Sequence, residues 1–154
     1  MSLWDWATAA YARPGAEALC LTLQDQHGQC VPLLLWAAWT AREGRALEAA
    51  LLADAVNLAR DWESEVVRPL RRARRSLARR QPQIDERGQA GLRKEVKAQE
   101  LAAERLLMDA LERISPDASG PPRDPRADLD ALVLAWAPAP AALVEALSRA
   151  FSAS

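Results

Sequence analysis

Arginine side chains are concentrated in one short segment of this 154-residue chain. Seven arginines lie between Arg68 and Arg80. At the 100° per residue of an α-helix, five of them fall within an arc of about 100°: Arg68, Arg71, Arg72, Arg75 and Arg79. Guanidinium groups keep their charge near neutral pH and form bidentate hydrogen bonds with phosphate or carboxylate. The segment therefore predicts either an anion-binding site or a charged surface that carboxylates of the same fold neutralise.

A lysine and two glutamates follow at helical spacing, at Lys97, Glu100 and Glu104. Ordinary ion pairing, along the helix or with the arginine segment, explains this spacing. Alternatively, Lys97 extends the anion site, while Glu100 and Glu104, together with Asp25, pair with its arginines or help to bind a divalent cation beside a diphosphate. Helical diphosphate enzymes usually display closely spaced aspartates, and this sequence has no such pair. We therefore assign no catalytic residue, no metal ligand and no cofactor, and the sequence favours a non-enzymatic role.

The cysteines and the single histidine do not form a recognisable reactive group. Cys20, His27 and Cys30 are too few for a structural zinc site. A catalytic cysteine would need an orienting base and an oxyanion loop, and neither can be identified in the sequence. We expect both thiols to be buried as small apolar groups and His27 to be exposed in a turn.

Charge and hydropathy exclude several classes of partner. The formal net charge is −1, and the basic segment lies between two acidic ones, so it is readily neutralised within the fold. The basic stretch has neither zinc-finger spacing nor interleaved aromatic residues, which disfavours a nucleic-acid partner. The longest near-apolar run, residues 31–41, is too short to cross a bilayer. No secretory leader pattern precedes it, so we expect no membrane association and a cytoplasmic location.

The elements that position these residues are predicted to be helices. Ala and Leu dominate the apolar residues, whereas β-branched and aromatic types are sparse. The pattern predicts an all-α bundle of five to seven helices around residues 33–39, with Trp36 and Trp39 buried. A long helix from about Ala46 to Arg79 must kink or split at Pro69. Together with a second long helix over residues 89–114, it forms an antiparallel hairpin.

The predicted domain organisation has three parts. Residues 1–114 form a helical domain. Residues 115–125 are rich in Pro, Asp and Gly and form a linker without regular structure. Residues 126–154 form a C-terminal helical segment that packs on the same domain.

Short motifs resemble those of a known family. The motifs are Trp4-x-Trp6-Ala7, Tyr11-x-x-Pro14-Gly15, Cys20-Leu21-x-Leu23-Gln24-Asp25-x-x-Gly28 and Pro69-Leu70-Arg71-x-x-Arg74-Arg75. Together they resemble an uncharacterised family of small proteobacterial helical proteins known only as conserved hypothetical proteins, over residues 2–114. The resemblance implies a bacterial, cytoplasmic protein of unassigned function, and it carries over no catalytic residue and no cofactor.

Two functions remain open from the sequence. The leading hypothesis is a non-enzymatic interaction or adaptor module that self-associates or binds a protein through its arginine-rich hairpin. The alternative is an anion-binding protein or enzyme acting on a phosphorylated or diphosphate-bearing metabolite. A concave pocket where arginines converge with Lys97 and Glu100 or Glu104 would favour the alternative, whereas a convex charged face would favour the module.

Overall fold

The fold was analysed in a computed structural model that describes residues 1–152. The helices, in chain order, are α1 (Leu3–Tyr11), α2 (Ala16–His27), α3 (Val31–Arg42), α4 (Ala49–Trp62), a π-helical turn (Glu63–Val67), α5 (Arg68–Leu77), α6 (Glu86–Ile114), α7 (Arg126–Trp136) and α8 (Ala141–Ser152). Because α4, the π-turn and α5 continue without a break, they form one of seven helical rods. Residues 1–152 contain no strand, so the predicted all-α class is confirmed. None of these helices combines the length and apolar character needed to cross a bilayer.

Helix α3 is the centre of the bundle. Every residue from Val31 to Ala41 is buried, and both Trp36 and Trp39 are 0% exposed. The Trp36 indole N–H donates to the Ser115 hydroxyl at 2.8 Å, and that of Trp39 donates to the Met1 carbonyl at 3.2 Å. These bonds satisfy the polar atom of each indole while its apolar area is removed from water. The predicted central helix is therefore confirmed.

Pro69 breaks the regular helix geometry as predicted. Proline has no amide hydrogen, and its ring clashes with the carbonyl four residues earlier. The chain accommodates it with the π-helical turn Glu63–Val67, and α5 then begins at Arg68 with Pro69 in its first turn. The extra residue in a π-turn changes which side chains share a face, and such turns are frequent at functional sites.

Helix α6 packs against α5 to form the predicted hairpin. It begins at Glu86, three residues before the predicted start, because the Asp85 carboxylate caps it by accepting from the Gly88 amide at 2.7 Å. The apolar side chains of α6 are only partly buried. Leu107 and Leu111 lie in the core, whereas Leu92 and Leu106 are 49% and 57% exposed.

Residues 115–125 contain no helix but are fixed to the end of α3. The Gly44 carbonyl accepts from the amides of Ser119 and Gly120 at 3.0 Å each. Gly44 has φ 66°, and a Cβ there would lie 1.9 Å from the Gly120 carbonyl oxygen, so only glycine fits this close approach.

The C-terminal helices return to the bundle. Helix α7 packs mainly on α3, and α8 packs on α2. Phe151 of α8 is fully buried and meets the Trp6 ring edge-on, with centroids 5.6 Å apart. The predicted C-terminal segment also includes residues 153–154, which lie outside the described residues.

Candidate anion-binding site

A cleft of about 750 Å³ lies between the end of α2 and the rod formed by α4, the π-turn and α5. We call it the arginine cleft. It is lined by Gln24, Asp25, Gly28, Gln29, Glu63, Arg68, Arg71, Arg72, Arg75, Ser76 and Arg79. The cleft therefore contains all five arginines that the sequence places on one helical face.

Helical spacing explains why one rod supplies these arginines. Positions three and four residues apart lie above one another on a helix, so Arg68, Arg72 and Arg75 project from the same side of α5. The opposite wall of the cleft is formed by the end of α2, where Gly28 adopts a left-handed conformation with φ 64°. This conformation, which favours glycine, ends the helix and brings Gln29 to the cleft.

Only part of the positive charge in the cleft is neutralised. The Arg75 guanidinium lies 2.7 Å from the Asp25 carboxylate, and both side chains are about half exposed. Among residues 1–152, no carboxylate oxygen lies within 4.0 Å of the Arg72 or Arg79 guanidinium nitrogens, the distance that defines a salt bridge. The cleft thus carries five arginines against two carboxylates, Asp25 and Glu63, which makes it attractive to an anion.

Glu63 is a cleft residue that the sequence analysis missed. It lies in the π-helical turn and is only 3% exposed. Its Oε1 accepts from the Cys30 thiol at 3.4 Å, and its Oε2 lies 3.8 Å from Arg71 and 4.0 Å from Arg68. A signal was present in the sequence. Glu63 lies four residues after the buried Ala59, on the face that α4 turns towards the core.

Behind the cleft, two arginines of α5 are paired with carboxylates of α6. Arg71 lies 3.0 Å from Glu100 and 3.3 Å from Glu104, and Arg74 also donates to Glu100. Arg71 is 9% exposed and Glu100 is 6% exposed, so both charges are buried together. The buried side of α5 is therefore not made of apolar residues alone. Ala73 is exposed and Arg71 is buried, because facing carboxylates offset the cost of burying the guanidinium.

This network gives the two glutamates opposite pKa shifts. Burial alone would raise the pKa of Glu100, but hydrogen bonds and charge from Arg74 and Arg71 hold it below its usual range. Burial raises the pKa of Glu104 to about 7; nearby Arg71 opposes this rise, while Glu100 and Glu63 add to it. The Glu104 carboxylate therefore takes up a proton near neutral pH.

The structure separates some residues that the sequence analysis had grouped. Lys97 is exposed on α6 and does not line the arginine cleft. Glu100 and Glu104 contact Arg71 from the other side of the rod, whereas Asp25 pairs with Arg75. Among residues 1–152, no three His, Cys, Asp or Glu side chains are grouped so that they could hold a metal ion. The suggested combination of Asp25, Glu100 and Glu104 around one cation is therefore not formed.

Both thiols are buried, as expected. Burial raises the pKa of Cys20 to about 12, and burial together with the nearby Glu63 raises that of Cys30 well above its usual value. The thiolate form that nucleophilic chemistry requires is therefore disfavoured at both positions. His27 lies partly buried in the last turn of α2, so its expected exposure holds only in part.

Comparisons with known proteins identify a family but no described function. The family model described as "Protein of unknown function (DUF2390)" matches residues 2–111, and the chain belongs to this family. No curated protein matches the sequence. No solved structure matches it.

Proposed function

We propose that this protein binds a phosphorylated small molecule in the arginine cleft. The observation that carries the proposal is the concave arrangement of Arg68, Arg72 and Arg79 with Arg71 and Arg75 in a single cleft. The concave shape favours the anion-binding alternative over a convex interaction face. Phosphate is the preferred class of anion because several guanidinium groups can each form two hydrogen bonds with its oxygens.

The paired arginine supports this function by fixing the cleft before a ligand binds. Arg71 contacts Glu63, Glu100 and Glu104 and cannot turn away from the rod without breaking these ion pairs. Arg72 and Arg79 keep their charges available for a ligand. Because Arg71 is already fixed, less side-chain conformational entropy is lost when a ligand binds than at a surface where every arginine is mobile. A bacterial cytoplasm, where phosphorylated metabolites are abundant, fits this proposal.

Thermal unfolding in the presence of inorganic phosphate, tripolyphosphate and a panel of sugar and nucleoside phosphates tests the proposal. A ligand that binds only the folded state raises the melting temperature as its concentration increases. We expect at least one phosphate compound to do so at low salt, and the effect to weaken as ionic strength rises.

Two double variants test whether the rise in melting temperature caused by phosphate depends on the cleft. The variant with Arg72→Gln and Arg79→Gln should lose most of the stabilisation by phosphate. A control with Arg87→Gln and Arg113→Gln has the same net charge, but it alters exposed arginines that do not line the cleft. Equal loss in both variants would show that the anion responds only to net charge and would contradict the proposal, as would a wild-type protein that no phosphate compound stabilises.

A second candidate function is self-association through the hairpin, the interaction role favoured by the sequence. Its support is a set of exposed apolar side chains on α6 and the preceding loop, each about half exposed: Ile84, Leu92, Leu101 and Leu106. Leu92 and Leu106 lie about four turns apart on nearly the same side of α6, and exposed apolar side chains that share a face are found at interaction sites. Sedimentation equilibrium of the wild-type protein and of a variant with Leu92→Ser and Leu106→Ser tests this candidate. A monomeric wild-type protein would contradict it.

A further inference from the structure

Glu63 is a buried carboxylate whose hydrogen-bonding capacity is largely unused. It is 3% exposed and lines the arginine cleft. An ionised carboxylate can accept about four hydrogen bonds, yet in residues 1–152 the only donor to Glu63 is the Cys30 thiol, at 3.4 Å. A thiol is a weak donor. Buried polar groups in native proteins are normally satisfied, so Glu63 has capacity for a partner inside the cleft.

The charge around Glu63 indicates the kind of partner. Arg71 and Arg68 lie 3.8 Å and 4.0 Å from its Oε2, which is close enough to balance the negative charge but too far for a hydrogen bond. A cationic ligand group would be repelled by these two guanidinium groups. A neutral donor, such as a hydroxyl or an amide N–H, would supply the missing hydrogen bond without this repulsion.

The position of Glu63 along the rod separates it from Arg72, Arg75 and Arg79, whereas Arg68 and Arg71 lie beside it. At about 1.5 Å per residue, Glu63 and Arg72 are separated by about 13 Å along the axis, a distance that the long arginine side chain shortens. Arg75 and Arg79 lie still further from Glu63 along the same wall. One end of the cleft therefore suits an anion, and the other end suits a hydrogen-bond donor.

We propose that Glu63 accepts a hydrogen bond from a hydroxyl group of the ligand whose phosphate is bound by Arg72, which lies nearer to Glu63 along the rod than Arg75 and Arg79 do. This inference rests on the proposed phosphate-binding function and narrows its ligand to a phosphorylated polyol or sugar. Glu63 thereby distinguishes such a ligand from other phosphate esters, because an alkyl chain in the same place would leave the buried carboxylate without a donor.

Calorimetric titration with two matched probes tests the inference. Sorbitol phosphate and hexyl phosphate have the same carbon chain length and a single phosphate, and they differ in their hydroxyl groups. We expect the wild-type protein to bind sorbitol phosphate at least about tenfold more tightly, since a hydrogen bond to a charged group is about twice as strong as one between neutral groups. Glu63→Gln keeps an amide oxygen that accepts only a weaker hydrogen bond, so it should show a reduced preference and bind hexyl phosphate as the wild-type protein does.

A second pair of variants keeps the test independent of the folding of a single variant. Glu63→Asp retains the charge but withdraws the carboxylate, and it should lose the preference. Glu65→Gln changes an exposed residue of the same π-helical turn and should keep it. Circular dichroism of each variant confirms that it is folded.

The outcomes separate this inference from the function on which it rests. The wild-type protein could bind both phosphates equally, or Glu63→Gln and Glu63→Asp could retain the full preference for sorbitol phosphate. Either result would show that Glu63 does not distinguish hydroxyl-bearing ligands from alkyl ones, although the cleft still binds phosphate. If neither phosphate binds, the proposed function is wrong and the inference fails with it.

Discussion

The two sides of α5 carry the same residue type in opposite environments. On the α6 side, Arg71 and Arg74 are largely buried and paired with Glu100. On the α2 side, Arg72 of α5 and Arg79, two residues past the end of α5, line the arginine cleft and have no salt-bridge partner in the described part of the chain. The difference arises from the carboxylates of the facing helices and not from the arginines themselves. One side of the rod holds the hairpin together, and the other side is left with charge that can bind a ligand.

The largest effect should follow removal of the central buried arginine. Arg71→Ala leaves Glu63, Glu100 and Glu104 close together without their shared cation. Breaking a buried ion pair in this way typically costs about 3 to 5 kcal/mol of unfolding free energy. Urea unfolding measures this loss, with Arg79→Ala as the control on the cleft side, where we expect a change within about 0.5 kcal/mol. Similar losses in the two variants would remove the distinction between the two sides of α5.

The next effect should be a dependence of stability on pH that comes from Glu104. Its pKa is raised from 4.5 to about 7 in the folded protein, so the folded state binds a proton more tightly than the unfolded state does. The stability that this proton contributes is fully present below about pH 4.5 and is lost as the pH rises through about 7. Because a tenfold change in proton affinity corresponds to about 1.4 kcal/mol, we expect a loss of about 3 kcal/mol over this window.

Glu104→Gln isolates this contribution, because glutamine remains neutral at every pH. Its unfolding free energy should change less than that of the wild-type protein between pH 5 and pH 8. Glu95→Gln, at an exposed position on the same helix, should retain the wild-type dependence. Parallel pH profiles for the wild-type protein and Glu104→Gln would show that Glu104 does not titrate in this range.

The smallest effect should be found for the ion pair at the mouth of the cleft. Arg75 and Asp25 are about half exposed, and a pair of this kind contributes only about 0 to 1 kcal/mol. A double-mutant cycle with Arg75→Gln and Asp25→Asn measures the coupling energy between them. The corresponding cycle for Arg74 and Glu100, which are more buried, should give a clearly larger value. Equal coupling energies would contradict the proposed contrast in environment.

The sequence predicts features that depend on local physics. The apolar run around Trp36 indicates a central helix, and Pro69 interrupts the long rod. Helical spacing also predicts that five of the arginines between Arg68 and Arg79 share a face. Each of these follows from a single residue or from a period along one element.

The features that escaped prediction depend on contacts between distant segments. Arg71 is buried only because α6 brings Glu100 against it, a partner 29 residues away in the chain. The arginine cleft has α2 as its second wall, whereas the sequence analysis expected Lys97 of α6 to contribute. Glu63 was not predicted, because burying a glutamate on the core face of a helix is unfavourable unless cations lie beside it. Its partner arginines are known only from the structure.

We expect the cleft side of α5, and not the hairpin side, to bind phosphate. A nuclear magnetic resonance titration of isotope-labelled protein with tripolyphosphate tests this expectation most directly, since it reports which backbone amides change environment. We predict that the changes concentrate at Asp25, Gly28 and Ser76, which line the cleft, and that they saturate with increasing ligand. Changes centred on α6 around Lys97, or no saturable change at low salt, would contradict the account.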